Sequence, residues 1–388
     1  MCGAPQILFG RSPNRIELTG RLRLPVSSQA ARGAAWLCGA FANLPPFANN
    51  KTNNKLNLTQ KERTMKMYNN ITLEKGLYNI SGKTFTEALA ELDNDENYAG
   101  TELEGLDAYE RQLKRFDIKV SGANSDRVEK FFKTTQSAVL FPEFVRRYIK
   151  QGMDEASVLP NVVAATTYAD GVDYRGLSIV KSGEDTIIPA GSEFPTTTVN
   201  YADSTVAIAK YGRQIETSYE VIRKQRLDLF AVVLKSIGAQ ISRAINNQAA
   251  NVLKSGASAV AIAGDTLTYA DLATFWASLN EYNMTTMLVS PAVMAKILAF
   301  EEMKYCGGEY VTNGTVKTPY GVTLVKCAGM SDDYAIGLDS GCALEMVLGT
   351  DIVVDNDKLI STQIDCITFS ISVGFTKVYA DAVKVLSI

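Results

Sequence analysis

Two pairs of carboxylates, Asp332-Asp333 and Asp355/Asp357, are the residues of this chain best spaced to hold a cation or to share acid–base work. Both sit in turn-like contexts, "GMSDDYA" and "VVDNDKL", where aspartate is favoured for bonding to its own backbone. A cation there would need further oxygen ligands, which neither stretch supplies. The segment "GLYNISGKT" (76–84) imitates a phosphate-binding loop, but it places five residues between its first Gly and the Gly-Lys pair where that loop has four. The 388 residues include no histidine. That removes Ser-His-Asp and Cys-His nucleophiles, His-ligated zinc and the commonest general base. The six cysteines (Cys2, Cys38, Cys306, Cys327, Cys342 and Cys366) form no CxxC pair and read as buried thiols. Dinucleotide, nucleophile-elbow and kinase motifs are absent. The sequence therefore specifies no catalytic residue, no cofactor and no metal site. A carboxylate- or Lys-dependent enzyme is the one catalytic alternative left.

The most basic local region is Arg127, Lys130, Lys133, Arg146, Arg147 and Lys150, interleaved with Phe131, Phe132, Phe141, Phe144 and Tyr148. Cations at this density can touch phosphates. With Glu129 and Glu143 diluting the charge, contact with a partner subunit, anchored by the aromatic rings, is the preferred expectation. The whole chain has a formal net charge of −3, which gives no overall pull towards nucleic acid or anionic lipid. No apolar run is long enough to cross a bilayer.

The elements that would position these residues are legible by periodicity. Residues 228–253, "DLFAVVLKSIGAQISRAINNQAANVL", repeat apolar side chains at helical spacing, and the opposite face carries Lys235, Arg243, Asn247 and Asn251. Capping boxes are expected at Thr84/Glu87 and Thr268/Asp271, and a Ser290 cap with Pro291 at the first helical position. Residues 162–210 read as extended chain punctuated by Gly and Pro, a long hairpin or arm with few residues to make a core of its own. Asn313-Gly314 signals a hairpin turn, and most of the chain after Val322 reads as strand.

The first 64 residues have another character. Residues 1–50 are rich in Arg, Ala, Gly, Pro and Ser with one acidic side chain, Glu17. An Arg-rich transit peptide is one reading. The other is an upstream extension that is not translated in nature: Lys61-Glu62 can be encoded by AAGGAG, a ribosome-binding sequence suitably spaced before Met65. The expected start is then Met65 or Met67, and the intact mass of the native protein tests it.

The order of elements resembles the major capsid protein of tailed bacteriophages, the Hong Kong 97 fold, which is also found in encapsulin shells. The resemblance runs over residues 134–388. "SAVLFPEFVRRYI" is similar to the family's N-arm. "YADGVDYRG…GSEFPTTTVNYADSTVAIAKYGRQIETSYEVI" is similar to its extended loop and the strand that follows, with Ser218, Glu220 and Ile222 at the end. Residues 228–256 resemble the spine helix, "MLVSPAVMAKIL" and "YGVTLVKCAGMSDDYAIGLDSGCALEMV" the axial domain, and "DCITFSISVGFTKVYADAVKVL" the final strands.

This resemblance implies an α+β fold with an N-arm (134–160), an extended β-hairpin loop (161–205), a peripheral domain with a long spine helix (206–256 and 349–388) and an axial α/β domain (257–348). Residues 67–133 would be a helical N-terminal segment and a possible scaffolding region. It implies a self-assembling subunit that forms pentamers and hexamers and an icosahedral shell in the virion, assembled in the bacterial host cytoplasm around packaged double-stranded DNA. Expected partners are further copies of the chain, DNA held without sequence preference, and a portal, scaffold or maturation protease, with no membrane. An encapsulin-type nanocompartment is the alternative. The residues expected at subunit contacts are Phe141, Phe144, Arg146, Arg147, Tyr174, Arg175, Lys181, Glu184, Glu193 and Phe194.

Overall fold

The computed structural model describes residues 68–388 apart from 81, 170–172, 183–186, 307–314, 360 and 362. The upstream extension expected over residues 1–64 and the Asn313-Gly314 turn lie outside the described residues.

After a 3-10 turn at Lys75–Asn79 come two short helices, α1 (Phe85–Leu92) and α2 (Ala108–Arg115). Each starts at a complete capping box, Thr84/Glu87 and Asp107/Glu110, which satisfies otherwise unbonded amides at the first turn. Arg111 is fully buried. Its Nε donates to Asp93 Oδ2 at 2.8 Å, and its terminal nitrogens donate to the carbonyls of Leu106 and Asp93. A buried guanidinium with all of its contacts made inside the chain is a structural pin. Leu89, Tyr109 and Leu113 enter the same core as Leu140 and Phe144. The segment expected as a possible scaffolding region is thus part of the body's core.

Next is α3 (Thr135–Ala156), a 22-residue helix capped by Thr134 and Ser137. The segment expected as an N-arm, 134–160, is largely this helix, and its Leu140, Phe144 and Ile149 are buried in the core. Pro142 sits inside it, lacks the N–H that would bond one turn back, and pushes that turn open. The hydroxyl of Tyr78 enters the gap. It donates to the Val139 carbonyl at 2.7 Å and accepts from the Glu143 N–H at 3.2 Å, bridging the two groups that an unbroken helix would join directly. Burial, then the charge of Glu143, push the Tyr78 pKa well above its ordinary value, so the hydroxyl keeps the proton it donates. Tyr78→Phe should therefore cost about 1–3 kcal/mol in urea unfolding, because it strands both backbone groups. A loss below about 0.5 kcal/mol would show that the helix closes the gap by itself.

The chain then lays down β1 (Val163–Tyr168), β2 (Arg175–Ser182), β3 (Thr196–Thr205) and β4 (Ala209–Ser218). A short helix, α4 (Tyr219–Lys224), leads into α5 (Leu227–Lys254), the expected long helix. Its 28 residues span about 42 Å. Leu227, Phe230, Leu234, Gly238, Ile241, Ile245, Ala249 and Leu253 recur every three or four residues and are all buried. They pack against α3 and against the sheet strands beside it. The two helices cross at glycines. A Cβ on Gly238 would stand 2.2 Å from the Ile149 carbonyl oxygen, and one on Gly152 would stand 2.1 Å from the Lys235 carbonyl oxygen. Only glycine permits such an approach. Near the crossing, the amide of buried Asn246 donates to the Ala156 carbonyl at 3.0 Å, which closes the C-terminal end of α3.

The rest of the chain adds β5 (Ser258–Ala261), α6 (Tyr269–Ala277), β6 (Thr286–Val289), α7 (Pro291–Leu298), β7 (Thr323–Lys326), β8 (Tyr334–Leu338), β9 (Leu344–Leu359), β10 (Ile364–Lys377) and β11 (Val383–Ser387). The Thr268/Asp271 capping box and the Ser290 cap with Pro291 are present as expected. Asp332 accepts from the Ser290 hydroxyl at 2.6 Å, and Asp333 from that of Ser331 at 2.5 Å, so Asp332 ties its loop to the start of α7 and Asp333 braces the loop itself.

Three sheets result among the described residues. One runs β1-β9-β10-β4, a second β5-β11-β8-β6-β7, and β2-β3 form a separate ribbon. The second sheet has its own core of Leu272, Phe275, Met287, Val293, Ile297 and Leu386 with α6 and α7. The domain boundaries shift accordingly. The last strand, β11, expected with the peripheral residues 349–388, pairs with β5 and β8 and so completes the sheet of 257–348. Strand β9 begins at Leu344, inside the range expected to be axial.

Candidate subunit-contact surfaces

The β2–β3 ribbon is the least covered part of the described chain. Residues facing one another across an antiparallel pair share a side of it. The register joins Leu177 to Tyr201 and Ile179 to Val199, while Ser178 faces Asn200 and Val180 faces Thr198. One side is therefore apolar and the other mostly polar. Leu177, Val199 and Tyr201 are all exposed, Tyr201 to 74%. Beyond the strands, Ile187 is 96% and Phe194 77% exposed. A two-stranded ribbon is at best marginally stable alone in water. An apolar side this open has the composition of a contact surface.

The ribbon's root is built differently. Glu345, on β9, is 7% exposed, and its Oε1 accepts the Thr167 hydroxyl of β1 at 2.6 Å. The same oxygen accepts the hydroxyl of Tyr174, the residue just before β2. Burial and then the bond to Glu345 raise the Tyr174 pKa, which keeps that hydroxyl protonated as a donor. The Tyr174 carbonyl in turn accepts the Val206 N–H at 2.8 Å, where the chain returns from β3. Gly176, at an irregularity in the register, lies where a Cβ would meet the Thr376 hydroxyl at 3.0 Å.

A second open apolar surface lies on the first turns of α5. Leu229, Val232 and Val233 are exposed at i, i+3 and i+4 spacing, on the side away from the buried stripe. Of the polar residues expected on this helix, Arg243 and Asn251 are exposed, whereas Lys235 and Asn247 are half-buried.

The basic, aromatic region of α3 turns inward. Phe141 and Phe144 are 2% and 1% exposed, and they stack on Phe230 of α5 at ring distances of 6.3 and 6.4 Å. They anchor the chain to itself and are not available as contact anchors. Arg146 and Arg147 converge on Glu143, which is fully buried. Arg146 Nε lies 2.9 Å from Oε2 and Arg147 Nε 3.0 Å from Oε1, and Oε1 also accepts the Thr86 hydroxyl at 2.7 Å. Asp107 pairs with Arg147 at 2.6 Å and Asp351 with Arg146 at 3.5 Å. Burial opposes the charge on both arginines, and their carboxylate partners outweigh it, so both pKa values are raised. Lys130 is likewise held by Asp117 and Asp126, each at 3.0 Å. Lys130, Arg146 and Arg147 are thus neutralised from within, while Arg127, Lys133 and Lys150 are exposed.

Of the other expected contact residues, Arg175, Glu193 and Phe194 are exposed on the ribbon and its connection, Tyr174 is at the root, Lys181 lies in β2, and Glu184 lies outside the described residues. Sequence reasoning missed Leu177, Val199 and Tyr201, although their period-two alternation was readable. It also missed Glu345, which carries no local signal because its partners are about 170 residues away in sequence. A cleft of about 430 Å³ lies between α3, α5 and the first sheet, with Ile245, Ile371 and Val373 in its lining and Lys150, Asp154 and Asp351 among its polar groups. Among the described residues, no helix is long and apolar enough to cross a membrane and no acidic or sulfur cluster could hold a metal ion.

Comparison with known proteins agrees with the resemblance noted from sequence. No curated protein matches the chain. Among solved structures, the virus-like particle from Pyrococcus furiosus is 13% identical, covering 63% of this chain and 98% of that one with a TM-score of 0.47. An empty GTA particle capsid is 15% identical over 60% and 90% of the two chains, TM-score 0.46. A structure from Microbacterium phage Oxtober96 is 13% identical over 60% and 91%, TM-score 0.45. The family described as phage capsid protein matches residues 201–355, which run from the return strand of the ribbon through α5 and the second sheet into β9. That segment is similar to the phage capsid proteins, and the described elements form the α+β architecture expected from the sequence.

Proposed function

We propose that this protein is the shell subunit of a tailed double-stranded DNA bacteriophage or prophage, and that it works by self-association. Copies form pentamers and hexamers, and these close into an icosahedral shell around the genome in the host cytoplasm. The observation that carries this reading is the uncovered apolar side of the ribbon, on a chain whose residues 201–355 match a phage capsid family. The ribbon lies across a neighbouring copy, for which the exposed stripe on α5 offers an apolar landing surface. One such contact between unlike surfaces, repeated head to tail, closes into a ring. The role needs no catalytic residue. Portal, scaffold and maturation protease are the further partners this reading brings.

Electron microscopy of the expressed protein tests it. Shells or capsomers are the expected result, and a small monodisperse monomer under all conditions would overturn the reading. Shells filled with a protein cargo instead of DNA would favour the nanocompartment. The double variant Leu177→Asp, Val199→Lys should keep the thermal transition of the native chain within about 2 °C, since these positions are exposed, yet lose closed particles at least tenfold.

A further inference from the structure

We infer that Glu345 is the positioning residue that fixes the angle of the β2–β3 ribbon to the body. Its Oε1 collects two hydroxyls from either side of the point where the chain leaves the first sheet. Thr167 belongs to the last strand before departure, and Tyr174 to the first turn of the ribbon itself. Tyr174 is a pivot with both ends held. Its side chain is tied to β9 and its carbonyl to the returning chain at Val206. Hydrogen bonds to an ionised acceptor are the stronger kind, and at a nearly buried carboxylate little water competes for them. Outward from this root the ribbon has almost no support, since nine of the ten residues of β3 are exposed.

Leverage makes the root matter. The eight residues of β2 reach about 27 Å from the pivot, so a swing of about 10° at Tyr174 moves the far end by about 5 Å. That exceeds the distance over which apolar side chains stay in contact. A loosened root would let one chain meet its neighbours at several angles, and particles of several diameters would follow. This last consequence rests on the shell reading, whereas the latch itself does not.

Hydrogen–deuterium exchange of the full-length protein, with electron microscopy of its particles, tests the inference. Tyr174→Phe removes one hydroxyl and keeps the ring. Glu345→Ala removes the acceptor, and Glu345→Gln keeps a neutral one. In Tyr174→Phe and Glu345→Ala the amides of 174–182 and 196–206 should exchange about tenfold faster, with β10 amides unchanged. Glu345→Gln should fall between these variants and the native chain. Particles of the first two variants should spread in diameter. Ribbon exchange within twofold of native in both variants, or an equal rise in β10, would overturn the latch. Faster ribbon exchange with particles of unchanged diameter would overturn its role in setting the contact angle. A native chain that forms no particles at all would sink the shell reading and leave exchange to judge the latch.

Discussion

Replacing Glu143 with alanine should lower the stability of the folded chain by about 3–5 kcal/mol. The carboxylate is fully buried between Arg146 and Arg147, and it is the one acceptor common to both. Removing it leaves two partly buried guanidiniums side by side, each with one remaining partner, Asp351 or Asp107. It also strands the hydroxyl of Thr86, which ties α1 to α3. Urea unfolding of the two variants Glu143→Ala and Glu143→Gln separates charge from shape, since glutamine keeps an acceptor and should cost less. The triple variant Glu143→Met, Arg146→Met, Arg147→Leu should regain much of the loss, because an apolar set of similar volume has no charge to desolvate. A cost below about 1 kcal/mol for Glu143→Ala would mean that the arginines find water or other acceptors at no penalty.

The second large effect is expected at the helix crossing. In Gly238→Val the new side chain begins 2.2 Å from a carbonyl oxygen of α3, a backbone atom that cannot rotate away. The helices must separate, and the ring stack of Phe141, Phe144 and Phe230 separates with them. Overpacking of this kind should cost about 3 kcal/mol and lower the melting temperature by roughly 6–12 °C. Gly264→Ala is the control. No atom lies within 4 Å of its added methyl, so this change should be neutral or slightly stabilising. Equal losses in the two variants would show that close approach is not what gives Gly238 its weight.

What the sequence made legible was local. The helix α5, its burial period and the caps at Thr84, Thr268 and Ser290 follow from spacing and side-chain chemistry within a few residues. The resemblance to capsid proteins came from the order of such elements. What stayed illegible was set across distance. "LFPEFVRR" reads as an arm by its likeness to the family's N-arm, and the hydroxyl that mends the proline-broken helix belongs to Tyr78, more than sixty residues earlier. Phe141 and Phe144 look like surface anchors beside two arginines until Phe230 arrives to cover them. Glu345 is one carboxylate among many until β1 and β9 pair and bring Thr167 to it.

The insertion of β11 between β5 and β8 has a consequence for timing. The second sheet spans residues 258–387, and the position that joins β5 to its other strands is filled by the last described strand in chain order. A ribosome adds about 5–20 residues per second and releases the N-terminal parts first. The helices α1, α2, α3 and α5 can therefore collapse while the chain is still being made, but the second sheet stays split until β11 emerges. Pairings so distant in sequence also form slowly. Synthesis thus acts as a clock: the helices can pack early, while the first sheet waits for β9 and β10 and the second for β11.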